Sequence, residues 1–252
     1  MNKKILILGR GFIGQRLKEA YNCQLFDKKI HSYQEALAVV EEFNPEVLIN
    51  CIGFTGIGTV DTCEVEIERT LEANTFIPII LGEIAFRKKI KLVHISSGCI
   101  YHYDDDKQLP LKEEDKADFY DLYYSRTKIY SENILLPLSE RVNVLIARIR
   151  IPLENRSHPK NILNKLIKCK RVIDIPNSVT YIPDFIDALA HLIKIDARGI
   201  YNLVNKGGLR YPLLMETYKK YVPDFQYELY PLKDFNFVRT NLILSTEKLE
   251  KV

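Results

Sequence analysis

Ile5-Leu6-Ile7-Leu8-Gly9-Arg10-Gly11-Phe12-Ile13-Gly14 is a short apolar run that breaks into G-x-G-x-x-G. The run suits a parallel strand buried on both faces. The glycines allow a tight turn and a close approach of backbone to ligand. A helix opening near Phe12 would turn its N-terminus toward that turn, where a pyrophosphate can sit. A glycine triplet alone is weak and fits an ordinary turn. Directly after a strand and at the start of a helix, it predicts a dinucleotide site formed by Gly9, Gly11, Phe12, Ile13 and Gly14.

Outward from this turn, strands and helices alternate. A helix to about Ala20 is followed by a strand through Gln24-Leu25-Phe26. Ser32 and Glu35 form a capping-box pattern before the apolar positions Ala36, Val39, Val40 and Phe43. Asn44-Pro45 ends that helix, and Val47-Leu48-Ile49 is the third strand. A long helical region is expected from about Cys63 to Arg87, broken or kinked at Pro78. Leu92–Ile95 reads as strand four, Tyr123–Leu136 as a helix and Val142–Ile149 as strand five. The alternation predicts an α/β, Rossmann-type doubly wound parallel sheet. After Pro152 the elements shorten: a helix near Pro159–Cys169, a strand near Arg171–Ile173, and a helix near Asp184–Ile195 with Asp184 as its cap. Residues 1–152 are expected to form the nucleotide-binding part. Residues 153–252 are expected to form a smaller substrate-binding lobe packed on the sheet as one compact unit.

The 252 residues are 46% hydrophobic and 27% charged, which excludes disordered, collagen-like and low-complexity classes. Lys+Arg of 36 against Asp+Glu of 33 gives a net charge of +3 with no basic block, so nucleic acid is not an expected partner. The acidic run Asp104-Asp105-Asp106, followed by Lys107, reads as a solvated loop. No apolar run approaches the roughly 18 residues that span a bilayer. The five cysteines (Cys23, Cys51, Cys63, Cys99 and Cys169) are scattered without a CxxC pair, so neither a metal site nor a disulfide framework is expected. The reading is of a soluble, cytoplasmic protein in a reducing compartment.

Asp27 follows the second strand, where an acid can bind the adenosine ribose of NAD; Lys28 and Lys29, next in line, can instead meet the 2′-phosphate of NADP. The choice between NADP(H) and NAD(H) stays open, and a solvated turn is a third reading. Tyr124-Ser125-Arg126-Thr127-Lys128 is Y-x-x-x-K on a helix, which puts phenol and ammonium on one face. A nearby cation is expected to lower the phenol pKa. Tyr103 and Lys107 repeat the spacing without a helix to hold it. Ser96-Ser97-Gly98-Cys99 follows strand four at the carboxyl edge, where α/β sheets bind ligands, and Ser97 is placed to hydrogen-bond a carbonyl.

With these motifs in order, the chain resembles the extended short-chain dehydrogenase/reductases. Within that group it is similar to the dTDP-4-dehydrorhamnose reductase branch, and closest to the nucleotide-rhamnose synthase/epimerase-reductase family. The stretches that carry the resemblance include Gly53-Phe54-Thr55-Gly56, Gly98-Cys99-Ile100-Tyr101, Lys112-Glu113-Glu114-Asp115, Arg148-Ile149-Arg150-Ile151-Pro152 and Asp174-Ile175-Pro176-Asn177-Ser178. Asn74 and Tyr181-Ile182-Pro183-Asp184 fit as well. The resemblance implies a Ser97/Tyr124/Lys128 triad and Asn74 at the cofactor. It also implies Thr55, Ser97, Cys99, Asn161 and Lys165 at a nucleotide-sugar substrate, UDP- or dTDP-linked. Cys99 and Lys165 are then the acid/base pair of a 3,5-epimerase, with a buried cysteine and a surface lysine as the plainer readings.

The reaction so implied removes and returns the C3 and C5 protons beside a 4-ketone. Hydride from NAD(P)H then reaches C4 while Tyr124 supplies the proton. No metal is required, and a homodimer through the helices around Thr75–Arg87 and Tyr123–Leu136 is expected from the family. Two alternatives remain at this stage: a reductase without epimerase activity, and a cofactor-binding regulatory subunit without turnover. The Asp27-Lys28-Lys29 stretch departs from the plant members of the family, which leaves substrate nucleotide and cofactor preference less determined than reaction class.

Overall fold

The computed structural model describes residues 3–103, 109–231, 234 and 238–252; the Asp104–Asp106 run and Lys107 lie outside the described residues. Six parallel strands form the main sheet in the order β2-β1-β3-β4-β5-β9. They are β1 (Ile5–Leu8), β2 (Gln24–Phe26), β3 (Val47–Asn50), β4 (Lys91–Ser97), β5 (Val144–Ile149) and β9 (Gly199–Asn202). The chain steps outward from β1 to β2, then returns to β3 on the other side of β1. This reversal opens a crevice at the carboxyl ends of β1 and β3, the usual ligand position in such sheets.

Because side chains alternate along a strand, each strand feeds both faces of the sheet. Leu6, Leu8, Leu48, Leu92, Val144 and Ile146 pack under α2 (Tyr33–Phe43), α4 (Ile77–Lys88) and α5 (Tyr123–Leu138). Ile5, Ile7, Val47, Ile49, Val93, Ile95 and Leu145 pack under α1 (Phe12–Tyr21) and α7 (Ile182–Lys194). Strands buried on both faces read as continuous apolar runs, as β1 does, whereas β4 and β5 also bury Lys91, His94 and Arg148. The capping box forms in part: Ser32 Oγ accepts from Glu35 N at 3.2 Å, while the Glu35 carboxylate turns to His31 N at 2.8 Å.

Several elements differ from the sequence reading. The region from Cys63 to Arg87 is not one kinked helix. It comprises a 3-10 turn (Val60–Glu64), α3 (Ile67–Leu71), a π turn (Glu72–Phe76) and α4. Pro78 lies in the first turn of α4, where its missing N–H costs no helical bond, and the widened turn just before it carries Ile77 N to Glu72 O. Asp184 is not the cap of α7. That helix starts at Ile182 with Tyr181 as N-cap, because Pro183 needs no hydrogen-bond acceptor in a first turn. Asp184 instead accepts from Asn205 Nδ2 at 2.5 Å. Strand five begins at Val144 rather than Val142, and the helix expected near Pro159 begins at Ile162.

The C-terminal part is divided between two places. α7 and β9 complete the main sheet and its cover. A second cluster, Leu166, Val172, Tyr211, Met215 and Phe225, joins α6 (Ile162–Cys169), β7 (Arg171–Val172) and α8 (Tyr211–Lys219). β7 pairs with β10 (Glu228–Leu229), and β6 (Pro152–Leu153) pairs with β8 (Thr180–Tyr181), both in parallel. Among the described residues, no helix is long and apolar enough to cross a membrane.

Candidate active site

The glycine turn is built from three different constraints. Gly9 has φ of +101°, and a Cβ there would come within 2.9 Å of the Cys51 backbone. Gly14 lies against the same turn, where a Cβ would meet Gly9 O at 2.0 Å. Gly11 is the extended N-cap of α1, and a Cβ there would have nothing within 4 Å. Two glycines therefore serve close packing. The third leaves an open cradle at a helix N-terminus with no acidic residue in its first turn, which suits an anion such as a dinucleotide pyrophosphate. The Phe12 ring stacks on His158, with centroids 4.2 Å apart. Asp27, Lys28 and Lys29 are all exposed beyond β2.

The loop after β3 is fixed from below by Asn74, in the π turn. Its carboxamide accepts from Phe54 N at 2.8 Å and donates to Phe54 O at 2.9 Å and Thr127 Oγ1 at 3.2 Å. Asn74, expected at the cofactor, is fully buried, and its carboxamide holds the loop after β3 against α5. Lys128 stands beside it: Nζ donates to Ile95 O at 3.3 Å and lies beneath Gly53, 3.6 Å from where a Cβ would be. Burial lowers the Lys128 pKa to about 8, against the opposing pull of Glu132 and Cys51. Glu132, one further turn along α5, is held by Arg148 Nη2 at 2.6 Å and by Ser96 Oγ at 2.5 Å.

Tyr124 is placed by the start of α5. Glu64 accepts from Tyr123 N at 2.5 Å, a remote cap for a helix whose own N-cap residue is Leu122. One residue beyond Tyr124, Ser125 Oγ donates to Cys99 O at 2.6 Å, tying the helix to the turn after β4. Ser97 Oγ accepts from Cys99 N at 3.1 Å. The lowering of the Tyr124 pKa expected from Lys128 does not prevail. Burial pushes the phenol up and Cys99 adds to the rise, outweighing hydrogen bonding with Ser97 and the charge of Arg150. The phenol is therefore neutral at pH 7 and able to donate a proton.

Cys99, Tyr124 and Lys165 line one cavity of about 700 Å³ between the sheet edge and the C-terminal cluster. Lys165 comes from α6 and is exposed at the cavity edge; partial desolvation and the charges of Lys160 and Arg239 lower its pKa. Asn161, expected at the substrate, is buried and caps α6. Its Oδ1 accepts from Leu163 N at 3.2 Å, and its Nδ2 donates to Glu154 O at 2.7 Å and Arg156 O at 2.9 Å. It sets the helix that presents Lys165 rather than reaching the cavity. Thr55 is exposed and accepts from Lys160 Nζ at 2.7 Å, which joins the β3 loop to the loop before α6.

Three cavity residues were not singled out from the sequence. Arg150 lies within a stretch that carried the resemblance but received no role; Tyr211 and Arg239 belong to no motif. Arg239 pairs with Asp61 through two bonds of 2.7 and 2.6 Å, closing one side of the cavity, and this pairing holds the Asp61 carboxyl down at about 2. Among the described residues, no group of three His, Cys, Asp or Glu side chains is arranged to hold a metal ion.

Comparison with known proteins gives a consistent set of likenesses. Residues 3–209 match the RmlD substrate binding domain. A bifunctional dTDP-4-dehydrorhamnose 3,5-epimerase/dTDP-4-dehydrorhamnose reductase of Arabidopsis thaliana is 30% identical over 82% of this chain and 69% of its own. The trifunctional UDP-glucose 4,6-dehydratase/UDP-4-keto-6-deoxy-D-glucose 3,5-epimerase/UDP-4-keto-L-rhamnose-reductase RHM2 of the same plant is 28% identical over 98% of this chain. The match spans only 39% of that protein's length. Among solved structures, the L780 UDP-rhamnose synthase of Acanthamoeba polyphaga mimivirus superposes with a TM-score of 0.89 at 24% identity, covering 100% of this chain and 93% of that one. The Bacillus anthracis dTDP-4-dehydrorhamnose reductase, in complex with NADP, has a TM-score of 0.84 at 20% identity over 100% of this chain and 93% of that one.

Proposed function

The chain belongs to the RmlD substrate binding domain family, and from that premise we propose that it converts a nucleotide 4-keto-6-deoxyglucose to the nucleotide L-rhamnose with NAD(P)H. UDP is the favoured nucleotide, and the activity is a combined 3,5-epimerase and 4-reductase. The observation that carries this reading is the meeting of Cys99, Tyr124 and Lys165 in one cavity. The start of α5, which carries Tyr124, is tied to the turn after β4 through Ser125 Oγ and Cys99 O.

The cradle at Gly11 and the ammonium of Lys128 would hold a nicotinamide dinucleotide, which supplies hydride to C4 when bound. Arg10, Lys28 and Lys29 favour NADP(H), while Asp27 favours NAD(H), so both remain in the proposal. In the epimerase half, Cys99 and Lys165 remove and return the C3 and C5 protons. Tyr124 and Ser97 hydrogen-bond the 4-keto oxygen, on which negative charge grows as each proton leaves. In the reductase half, the neutral phenol of Tyr124 gives its proton to the same oxygen. Lys165 is exposed at the cavity mouth, yet partial desolvation and its cationic neighbours Lys160 and Arg239 make its proton easier to lose. The α6–α8 lobe would hold the nucleotide sugar against the sheet edge. Exposed Phe76, Phe86, Tyr130 and Ile134 on and beside α4 and α5 support a homodimer through these helices, and five unpaired cysteines suit a reducing cytoplasm.

The epimerase half is tested without hydride. In D₂O and with no reduced cofactor, the protein should wash deuterium into C3 and C5 of UDP-4-keto-6-deoxyglucose, and Cys99→Ser or Lys165→Ala should slow this sharply. No wash-in by the unaltered protein would leave a reductase alone. Normal wash-in by both variants would clear the two residues of the role.

A further inference from the structure

Arg150 is 2% exposed, yet it sits in the wall of the cavity beside Cys99, Tyr124 and Tyr211. Its Nη1 donates to Cys99 Sγ at 3.0 Å and to Thr240 Oγ1 at 2.9 Å. Its Nη2 donates to Asn177 Oδ1 at 2.7 Å and to the Thr240 carbonyl. All of these acceptors are neutral unless the sulfur is ionised. Arg148, two residues earlier, offers the contrast: its guanidinium is matched by the carboxylate of Glu132. Among the described residues no carboxylate pairs with the Arg150 guanidinium; an unmatched buried cation is costly, and the sulfur of Cys99 is the group hydrogen-bonded to it that can take up a negative charge.

The backbone around Arg150 is equally constrained. Arg150 N donates to Thr180 Oγ1 at 2.9 Å, and its carbonyl accepts from Thr180 N at 2.7 Å. The next residue, Ile151, has φ of +40°, a left-handed conformation that is strained for a β-branched side chain. Such strain persists where the surroundings over-determine the chain, as the paired bonds between Arg150 and Thr180 do here.

We propose that Arg150 is the positioning residue of Cys99: it aims the sulfur into the cavity and carries the counter-charge of the thiolate that accepts a proton from carbon. This rests on the epimerase reading of Cys99. In the step it serves, the thiolate takes the proton from the carbon beside the 4-ketone, and the C–H electron pair moves into the enolate. The Lys165 ammonium returns a proton from the opposite face. A neutral thiol and a neutral amine result, and proton exchange with solvent restores the starting pair.

The remaining groups around the sulfur do not compete for this role. Tyr124 and Tyr211 are phenols pushed upward by burial, and so are neutral. Lys165, Arg171 and Arg239 add cations further round the cavity, and Asp121, the carboxylate among the described lining residues, faces His102 at 3.7 Å.

The test is alkylation of the full chain by iodoacetamide at pH 7.5, followed peptide by peptide by mass spectrometry. Cys99 in Arg150→Met should react about tenfold more slowly than in the unaltered protein, the loss of one charge-assisted hydrogen bond, with Arg150→Lys in between. Exposed Cys169 is the internal control and should not change. Equal rates at Cys99 in all three proteins would overturn the proposal. If Arg150→Met fails to fold, Asn177→Ala decides: releasing the guanidinium from its anchor should slow Cys99 about threefold, and an unchanged rate overturns the pairing. Alkylation that depends on Arg150 without any deuterium wash-in would instead sink the epimerase reading and leave the pairing standing.

Discussion

Tyr124, neutral at pH 7 as an ordinary phenol is, is pushed further up by burial, with Cys99 adding to the rise and Ser97 and Arg150 opposing it. At neutral pH the phenol therefore keeps the proton that a ketone reduced at C4 must receive. Tyr124→Phe should lower hydride transfer by about 10²–10⁴-fold, the range of a lost general acid, while NADPH binding measured by fluorescence stays close to that of the unaltered protein. Wild-type turnover in the Phe variant would remove Tyr124 from the reaction. Lys128 makes a prediction of opposite sign. Its pKa is lowered to about 8 from the ordinary 10.5, so the ammonium is lost earlier than in a free lysine. kcat/KM for NAD(P)H should fall as pH rises through about 8, and Lys128→Arg should carry the plateau to higher pH; a profile flat to pH 10 would contradict this. The same shift affects folding. The unfolded chain holds this proton up to about 10.5, so the cost of burying the cation is full below pH 8 and fades between 8 and 10.5.

The turn from β1 to α1 shows how one motif divides between fold and ligand. A Cβ at Gly14 would meet the Gly9 carbonyl at 2.0 Å, whereas one at Gly11 would have open space around it. Gly14→Ala should therefore destabilise the protein by about 3 kcal/mol or more in urea unfolding. Gly11→Ala should change stability by less than about 0.5 kcal/mol yet weaken NADPH binding by at least about tenfold. Equal effects of the two substitutions on stability would mean that the cradle at Gly11 is only a turn. This motif was legible because its meaning is local: glycines, strand and helix lie within ten consecutive residues. The Tyr124–Lys128 pair was legible for the same reason, helical spacing. Asp184 misled because Pro183 fits the first turn of a helix as well as the position before one, and the tertiary partner that claimed Asp184 is Asn205, a loop away. The π turn was hidden because the sequence marks Pro78 but not how the preceding turn widens to admit it.

At the scale of the whole molecule, the cavity is assembled by segments remote in sequence, and that is why most of its wall was not readable beforehand. Cys99 stands on the turn after β4, Arg150 beyond the end of β5 and Lys165 on α6, while Tyr211 opens α8 and Thr240 follows much later in the chain. No periodicity links them; they meet because β4 and β5 are neighbours and the C-terminal cluster folds over their carboxyl ends. Of the residues named by resemblance alone, Lys165 lines the cavity, while Asn161 and Asn74 are buried and hydrogen-bond backbone groups. On the proposed reading, Cys99, Lys165 and Tyr124 share one chamber, so both halves of the reaction would act in sequence on one bound substrate. The most direct measurement is incubation of the protein with UDP-4-keto-6-deoxyglucose and NADPH, with the product sugar identified by NMR. UDP-L-rhamnose formed with stoichiometric loss of NADPH is the predicted result; NADPH consumption that yields only a sugar unchanged at C3 and C5, or no consumption at all, would contradict it.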